Sequence, residues 1–144
     1  MTDSADELSP TEWVRDQTEQ ILRSGTTEGV TVLDRPVVLI TMIGARSGKQ
    51  RLVPLMRVEH DGRYAIIASK GGAPENPTWY RNVTANPTVT LQDGTSVGKF
   101  KAREVDGAER DAWWHRAVAA YTPFTEYQKN TQRRIPVIVL EPAP

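Results

Sequence analysis

Two Asp-Gly pairs, Asp61-Gly62 and Asp93-Gly94, each stand between runs rich in β-branched and aromatic residues. A tight two-residue hairpin needs left-handed backbone, which Gly and Asp tolerate better than most residues, so each pair predicts a turn between antiparallel strands. The first pair joins runs over 52–59 and 64–68; the second joins 88–92 to a longer run over 97–105. With further runs over 37–43 and 135–140, about six short strands are expected, and antiparallel pairing dominates.

The segments between these strands are too short and irregular for the repeated crossovers of a parallel sheet. Ser9-Pro10-Thr11-Glu12 reads as a capping box opening a helix over about 10–24, with Trp13, Val14, Ile21 and Leu22 as its apolar stripe and Gly25 to end it. Asn76-Pro77 opens a second helix that stops before Asn86-Pro87, and Asp106-Gly107-Ala108-Glu109 reads as another capping box ahead of Trp113, Trp114, Val118 and Tyr121. The expected fold class is α+β, a small closed or split β-barrel with short helices at its rim.

A chain of 144 residues is most simply a single domain, here 9–144 after a disordered 1–8. Its 18 basic and 18 acidic residues balance, which argues against nucleic acid as a partner. With no cysteine and only His60 and His115, thiolate catalysis, disulfides and most metal sites are excluded, and the cytoplasm is the expected compartment. The acidic N-terminus has no apolar leader and no run is long enough to span a bilayer, so membrane contact is expected only at the periphery, through a surface element.

Three stretches carry chemistry. In IGARSGKQRLVPL (43–55), Arg46, Lys49 and Arg51 crowd a turn flanked by Gly44 and Gly48, where backbone amides and the Ser47 hydroxyl could hold an anion. The spacing is not that of a Walker A loop, and a solvated basic turn is the plainer reading. In ASKGGAPENPTWYRN (68–82), Lys70 and the amides of Gly71 and Gly72 offer a second anion-friendly turn, followed by Trp79, which periodicity favours as a core anchor. Tyr121, Phe124 and Tyr127 follow at intervals of three, a spacing that lets them roof a flat substrate or cover an apolar edge. Neither histidine has a partner arrangement resembling a triad, so an enzyme built on this chain needs an organic cofactor.

These motifs, with the closing RRIPVIVLEP, resemble in order and content the deazaflavin-dependent nitroreductases of mycobacteria and related actinobacteria, over about residues 38–142. The resemblance implies a split β-barrel like that of FMN-binding oxidoreductases. It also implies reduced coenzyme F420, an 8-hydroxy-5-deazaflavin, as hydride donor to an electron-poor small molecule. Arg46, Ser47, Lys49 and Arg51 would then lie along the coenzyme's phosphate and acidic tail. Pro54, Ala68, Ser69, Lys70, Gly71, Gly72 and Trp79 would line the deazaflavin and its linker, with Asn82 at a motif position that holds the helix. Ser69, Tyr121 and Tyr127 match catalytic or proton-donating positions, and Met56, Tyr121, Phe124 and Tyr127 match the substrate pocket. Met56 and Phe124 stand where some nitroimidazole-reducing members carry an aromatic and a tyrosine. This softer pocket shifts the expected acceptors from nitro compounds toward quinones, enones and unsaturated lactones. The alternatives are a non-catalytic F420 carrier and an FMN-dependent enzyme on the same barrel; the oligomeric state is left open.

Overall fold

The computed structural model describes residues 6–7, 12–32 and 35–143. In chain order these form β1 (Asp6–Glu7), α1 (Glu12–Ser24), β2 (Thr31–Val32), β3 (Arg35–Ile43), β4 (Gln50–Met56), β5 (Glu59–His60) and β6 (Arg63–Ile67). A 3-10 turn (Lys70–Gly72), α2 (Thr78–Ala85), β7 (Thr88–Asp93), β8 (Ser96–Val105), α3 (Gly107–Ala120), α4 (Phe124–Lys129) and β9 (Val137–Pro142) complete the order. The strands make one mostly antiparallel sheet in the order β1-β4-β3-β7-β8-β9-β6-β5, with β2 beside β3.

Alternation along the strands explains how this sheet curls. Val38, Ile40 and Met42 of β3 join a core cluster that also takes Ile66 from β6, Val89 and Leu91 from β7, Ala102 from β8, and Ile138 and Leu140 from β9. Strands near opposite ends of the sheet therefore point into one interior, which is the barrel. Trp79 and Val83 of α2 complete this cluster. The other faces are buried too: Val37 and Leu39 of β3 pack with Ile21 of α1, whereas Val137 and Val139 of β9 pack with Trp113 and Ala117 of α3 and Phe124 of α4. Burial on both faces is why these strands read as continuous apolar runs.

The two Asp-Gly pairs make different turns. Asp61 and Gly62 both adopt positive φ, 54° and 78°, between the paired His60 and Arg63, as a type I′ hairpin demands. In the second hairpin Asp93 still pairs with Ser96, so the loop is Gly94-Thr95 and Asp93 is freed for another role. Its carboxylate accepts from Arg57 Nε at 2.9 and 3.0 Å and from the Tyr64 hydroxyl at 2.6 Å, which ties the β7–β8 turn to β6 and to the end of β4.

Four sequence expectations need correction. The run over 52–59 is not one strand: β4 stops at Met56 and pairs with β3, while β5 pairs with β6, whose longer partner is β9. Asp6 and Glu7, inside the stretch expected to be disordered, pair in parallel with Gln50 and Arg51. Leu22 lies on the outer face of α1 and is 54% exposed. Asp106 is the N-cap of α3 but makes no side-chain cap bond, and Glu109, the reciprocal partner in a capping box, is drawn instead into a two-pronged ion pair with Arg103. The first capping box, Ser9 to Thr11, and the side chains of Trp13 and Val14 lie outside the described residues. Among the described residues no helix is long and apolar enough to cross a membrane.

Candidate functional site

The β3–β4 turn, the 3-10 turn and the outer face of α2 meet around a cleft of about 650 Å³. Arg46 reaches it from the first turn, Arg51 from the start of β4, Lys70 from the second turn and Arg81 from the helix, and among the described residues that line it the carboxylate is Glu75. Among the described residues, four cations facing one acid make a site suited to a small polyanion in a chain whose total charge is zero. Arg81 was not among the sequence candidates, yet helical period points to it: with Trp79, Asn82 and Val83 buried, Arg81 is left on the exposed side of α2.

The backbone contributes less to this cleft than the glycine pattern implies. Across 44–49 the Gly44 N–H donates to Lys49 O (2.8 Å) and the Gly48 N–H to Gly44 O (3.0 Å). The Ala45 N–H donates to Asn82 Oδ1 (2.9 Å), and the Lys49 N–H to the Ser47 hydroxyl (3.2 Å). In the second turn the Gly72 N–H goes to Ser69 O (2.9 Å) and the Ala73 N–H to Lys70 O (3.1 Å). These amides hold the turns in shape, and the cationic side chains supply the attraction for an anion.

Gly72 answers to a neighbour. Its φ is +85°, and a Cβ there would come within 2.8 Å of the Tyr127 carbonyl oxygen and 3.1 Å of Tyr127 Cα, so glycine lets the turn lie directly on α4. Lys70 also takes a left-handed backbone, φ +46°, which costs a residue with a Cβ about 1–2 kcal/mol and so must be held by its surroundings. Its Nζ donates to Glu75 Oε1 at 2.9 Å, and this contact holds the Glu75 carboxyl below its usual range.

Arg133, quoted within the RRIPVIVLEP motif but given no role from sequence, organises this turn. Its guanidinium donates to Ala68 O (3.1 Å), Ser69 O (2.9 Å), Ala73 O (2.9 Å) and Asn76 Oδ1 (2.7 Å). Asn82, buried on α2, does the matching service for the other turn through Ala45.

The aromatic trio assembles on the far side of the 3-10 turn. Tyr121 caps α3, Phe124 and Tyr127 lie on α4, and their rings meet at centroid distances of 5.0 to 6.1 Å. The Tyr121 and Tyr127 hydroxyls are 2.8 Å apart, and burial together with this bond pushes the Tyr121 phenol up to about 12. It therefore keeps its proton throughout the neutral range. Met56 packs against the same cluster.

Other candidates fall elsewhere. Trp79 and Ala68 belong to the barrel core, so Trp79 follows the plainer reading as a core anchor and does not line the cleft. Pro54 is buried within β4 opposite Leu39. Ser69 is buried at the start of the 3-10 turn and makes no side-chain cap bond. Gly71 lies within that turn, while Ser47 and Lys49 are exposed on the β3–β4 turn. The structure thus brings Arg46, Arg51 and Lys70 together and gathers Met56, Tyr121, Phe124 and Tyr127 separately, with Gly72 at the join.

Comparison with known proteins gives this arrangement its context. The family profile described as F420H(2)-dependent quinone reductase matches residues 13–142. The F420H(2)-dependent quinone reductase Rv1261c of Mycobacterium tuberculosis (strain H37Rv) is 34% identical over 108 residues, 73% of this chain and 72% of that protein. A solved structure described as a domain-swapped dimer is 61% identical, with a TM-score of 0.74 over 92% of this chain and all (100%) of that one. Another, an F420-H2 dependent reductase (FDR-A), is 60% identical, with a TM-score of 0.71 over 78% of this chain and 100% of its own. An FAD-binding protein from Mesorhizobium loti, 13% identical with a TM-score of 0.52, covers 87% of this chain and 85% of its own, and shares the fold alone. With its split-barrel sheet and cation-lined cleft, the chain belongs to the F420H2-dependent quinone reductase family, a family of oxidoreductases that use reduced coenzyme F420.

Proposed function

We propose that this chain reduces a quinone with reduced F420, holding the coenzyme's phosphate and acidic tail in the cleft between the β3–β4 turn and α2. The single observation that carries the reading is the donor set of that cleft. Arg46, Arg51, Lys70 and Arg81, with one carboxylate beside them among the described residues, fit a cofactor whose tail bears several negative charges. FMN, with a single phosphate, would use less of this charge. When bound, the reduced deazaflavin supplies the hydride.

The chain's own part is to bind, orient and protonate. Ser69 and Lys70 stand on a turn whose backbone is fixed on both sides, which favours a defined ring position over a mobile one. The Tyr121–Tyr127 hydroxyl pair keeps a phenolic proton available at neutral pH, suited to a quinone oxygen that gains negative charge as it is reduced. Met56 and Phe124 give the neighbouring wall an apolar character that suits a quinone ring. Enones and unsaturated lactones are the next acceptors to try, ahead of nitro compounds. The reaction belongs in the cytoplasm on this reading, with peripheral membrane contact as the route to a lipid-soluble quinone. The domain-swapped dimer described for the 61% identical structure supports a dimer here as well, with twice the 16.1 kDa chain mass in solution.

The test is a titration of the purified protein with F420 and, separately, FMN, followed by turnover of reduced F420 with a quinone. Tight F420 binding, weaker FMN binding and quinone-dependent oxidation are expected. Binding without turnover by any acceptor would make the protein a carrier, and preference for FMN would overturn the cofactor reading.

A further inference from the structure

Arg133 lies outside the cation-lined cleft, in the segment between α4 and β9, yet its guanidinium makes four hydrogen bonds to the stretch that borders the cleft. Its Nη1 serves two acceptors, Ala68 O and Asn76 Oδ1, while Nε and Nη2 serve Ala73 O and Ser69 O. Four of the five N–H groups of an arginine are thereby spent on the stretch that carries Ser69, Lys70 and Gly72. The acceptors lie on both sides of the 3-10 turn, so the guanidinium bridges the strand end before it to the approach to α2 after it. Arg133 is itself held from α4: Gln128 Nε2 donates to Arg133 O (2.8 Å), and Gln128 Oε1 accepts from the Ile135 N–H (3.0 Å).

We propose that Arg133 is a positioning residue for the reaction, fixing the Ser69–Lys70 turn at a set place relative to the aromatic helix α4. The inference rests on the reading of the cleft as the F420 site. Lys70 needs such a hold, since its left-handed backbone is unfavourable for a residue with a side chain. Gly72 explains the direction of the coupling. The turn lies against Tyr127 with no room for a methyl group, so its distance from the tyrosine pair is set by contact, and its rotation by the guanidinium. Lysine cannot replace this function, because one ammonium offers its donors from a single point while the four acceptors are spread around a planar fork.

The experiment compares R133K with R57K, a control that disturbs the Asp93 network at the β7–β8 turn. Three quantities are read in the holoenzyme and in the ligand-free chain: F420 dissociation constant, melting temperature, and hydrogen exchange of the Gly72 and Ala73 amides. R133K is expected to speed exchange at those two amides at least tenfold, to leave β9 amides protected, and to weaken F420 binding at least tenfold. R57K is expected to bind F420 like the wild type, even where its melting temperature falls as far. Unchanged F420 affinity in R133K, or unchanged exchange at Gly72 and Ala73, overturns the inference. So does a loss of affinity that merely tracks melting temperature across both variants. Absence of F420 binding by the wild-type chain itself overturns the cofactor reading, and the positioning role with it.

Discussion

The cleft and the aromatic cluster lie on opposite sides of one short turn and are built on different principles. Around the cleft, Arg46, Lys70 and Arg81 are exposed, and the backbone turns beneath them are fixed by buried or half-buried anchors, Asn82 and Arg133. In the cluster the side chains of interest are themselves the core: Tyr121 and Phe124 are buried, and their rings support one another. Charges can therefore be removed on one side at little structural cost, whereas removing a ring on the other costs fold and function together. The difference teaches that affinity and chemistry can be separated by mutation here, provided that the turn between them stays in place.

The largest effect is expected from the cluster. Phe124→Ala deletes a buried ring that contacts both tyrosines and should cost about 3–5 kcal/mol of stability, read from urea unfolding. A loss under about 1 kcal/mol would mean that the cluster is a surface lid and the contrast is false. Gly72→Ala attacks the boundary. Left-handed backbone and the close Tyr127 carbonyl together should cost about 2–4 kcal/mol, and F420 affinity and turnover should fall together.

The cleft should respond in the opposite sense. Lys70→Ala is expected to weaken F420 binding roughly ten- to a hundredfold, the loss of a charge-assisted contact worth about 1.5–3 kcal/mol, while the unfolding midpoint stays near that of the wild type. The Lys70–Glu75 pair is an exposed one, and such pairs add little to stability. An unchanged dissociation constant would remove Lys70 from the site.

The smallest effect sharpens the comparison through pH. Tyr121 is held near 12 in the fold against 10.0 in an unperturbed phenol, so the folded state binds the proton more tightly than the unfolded one. Its contribution to stability is complete below about pH 10 and is lost as pH rises toward 12. Tyr64 and Tyr80 are raised in the same way by burial near Asp93 and by the bond to Glu104. Tyr121→Phe should flatten part of the alkaline fall in melting temperature and leave the rest. A curve identical to the wild type would show that the hydroxyl pair does not form.

The expectations that failed share a cause. The glycines at 44, 48 and 72 mark sharp turns, but a sequence cannot show whether a turn's amides face a ligand or its own carbonyls. At Gly44, Gly48 and Gly72 the partners are Lys49 O, Gly44 O and Ser69 O, all local. Asp106 and Glu109 have the spacing of a capping box, yet Arg103, reaching from β8, outcompetes the helix terminus for Glu109. Trp79 has a cofactor role by resemblance and a core role by period, and its ring packs in the interior of the barrel, as the period implies.

The sequence by itself determined most of the strands and helices, the antiparallel bias and three of the four cations of the cleft, Arg46, Arg51 and Lys70, because alternation, Asp-Gly turns, proline stops and side-chain charge are local properties of the chain. Only the tertiary structure decided that Arg46, Arg51, Lys70 and Arg81 face one space, that Gly72 lies against Tyr127, and that Arg133 grips a turn more than 60 positions earlier. Those are non-local contacts. They depend on how the sheet curls to bury both faces of β3, β6 and β9, a condition that involves the whole chain at once and is written in no single segment of it.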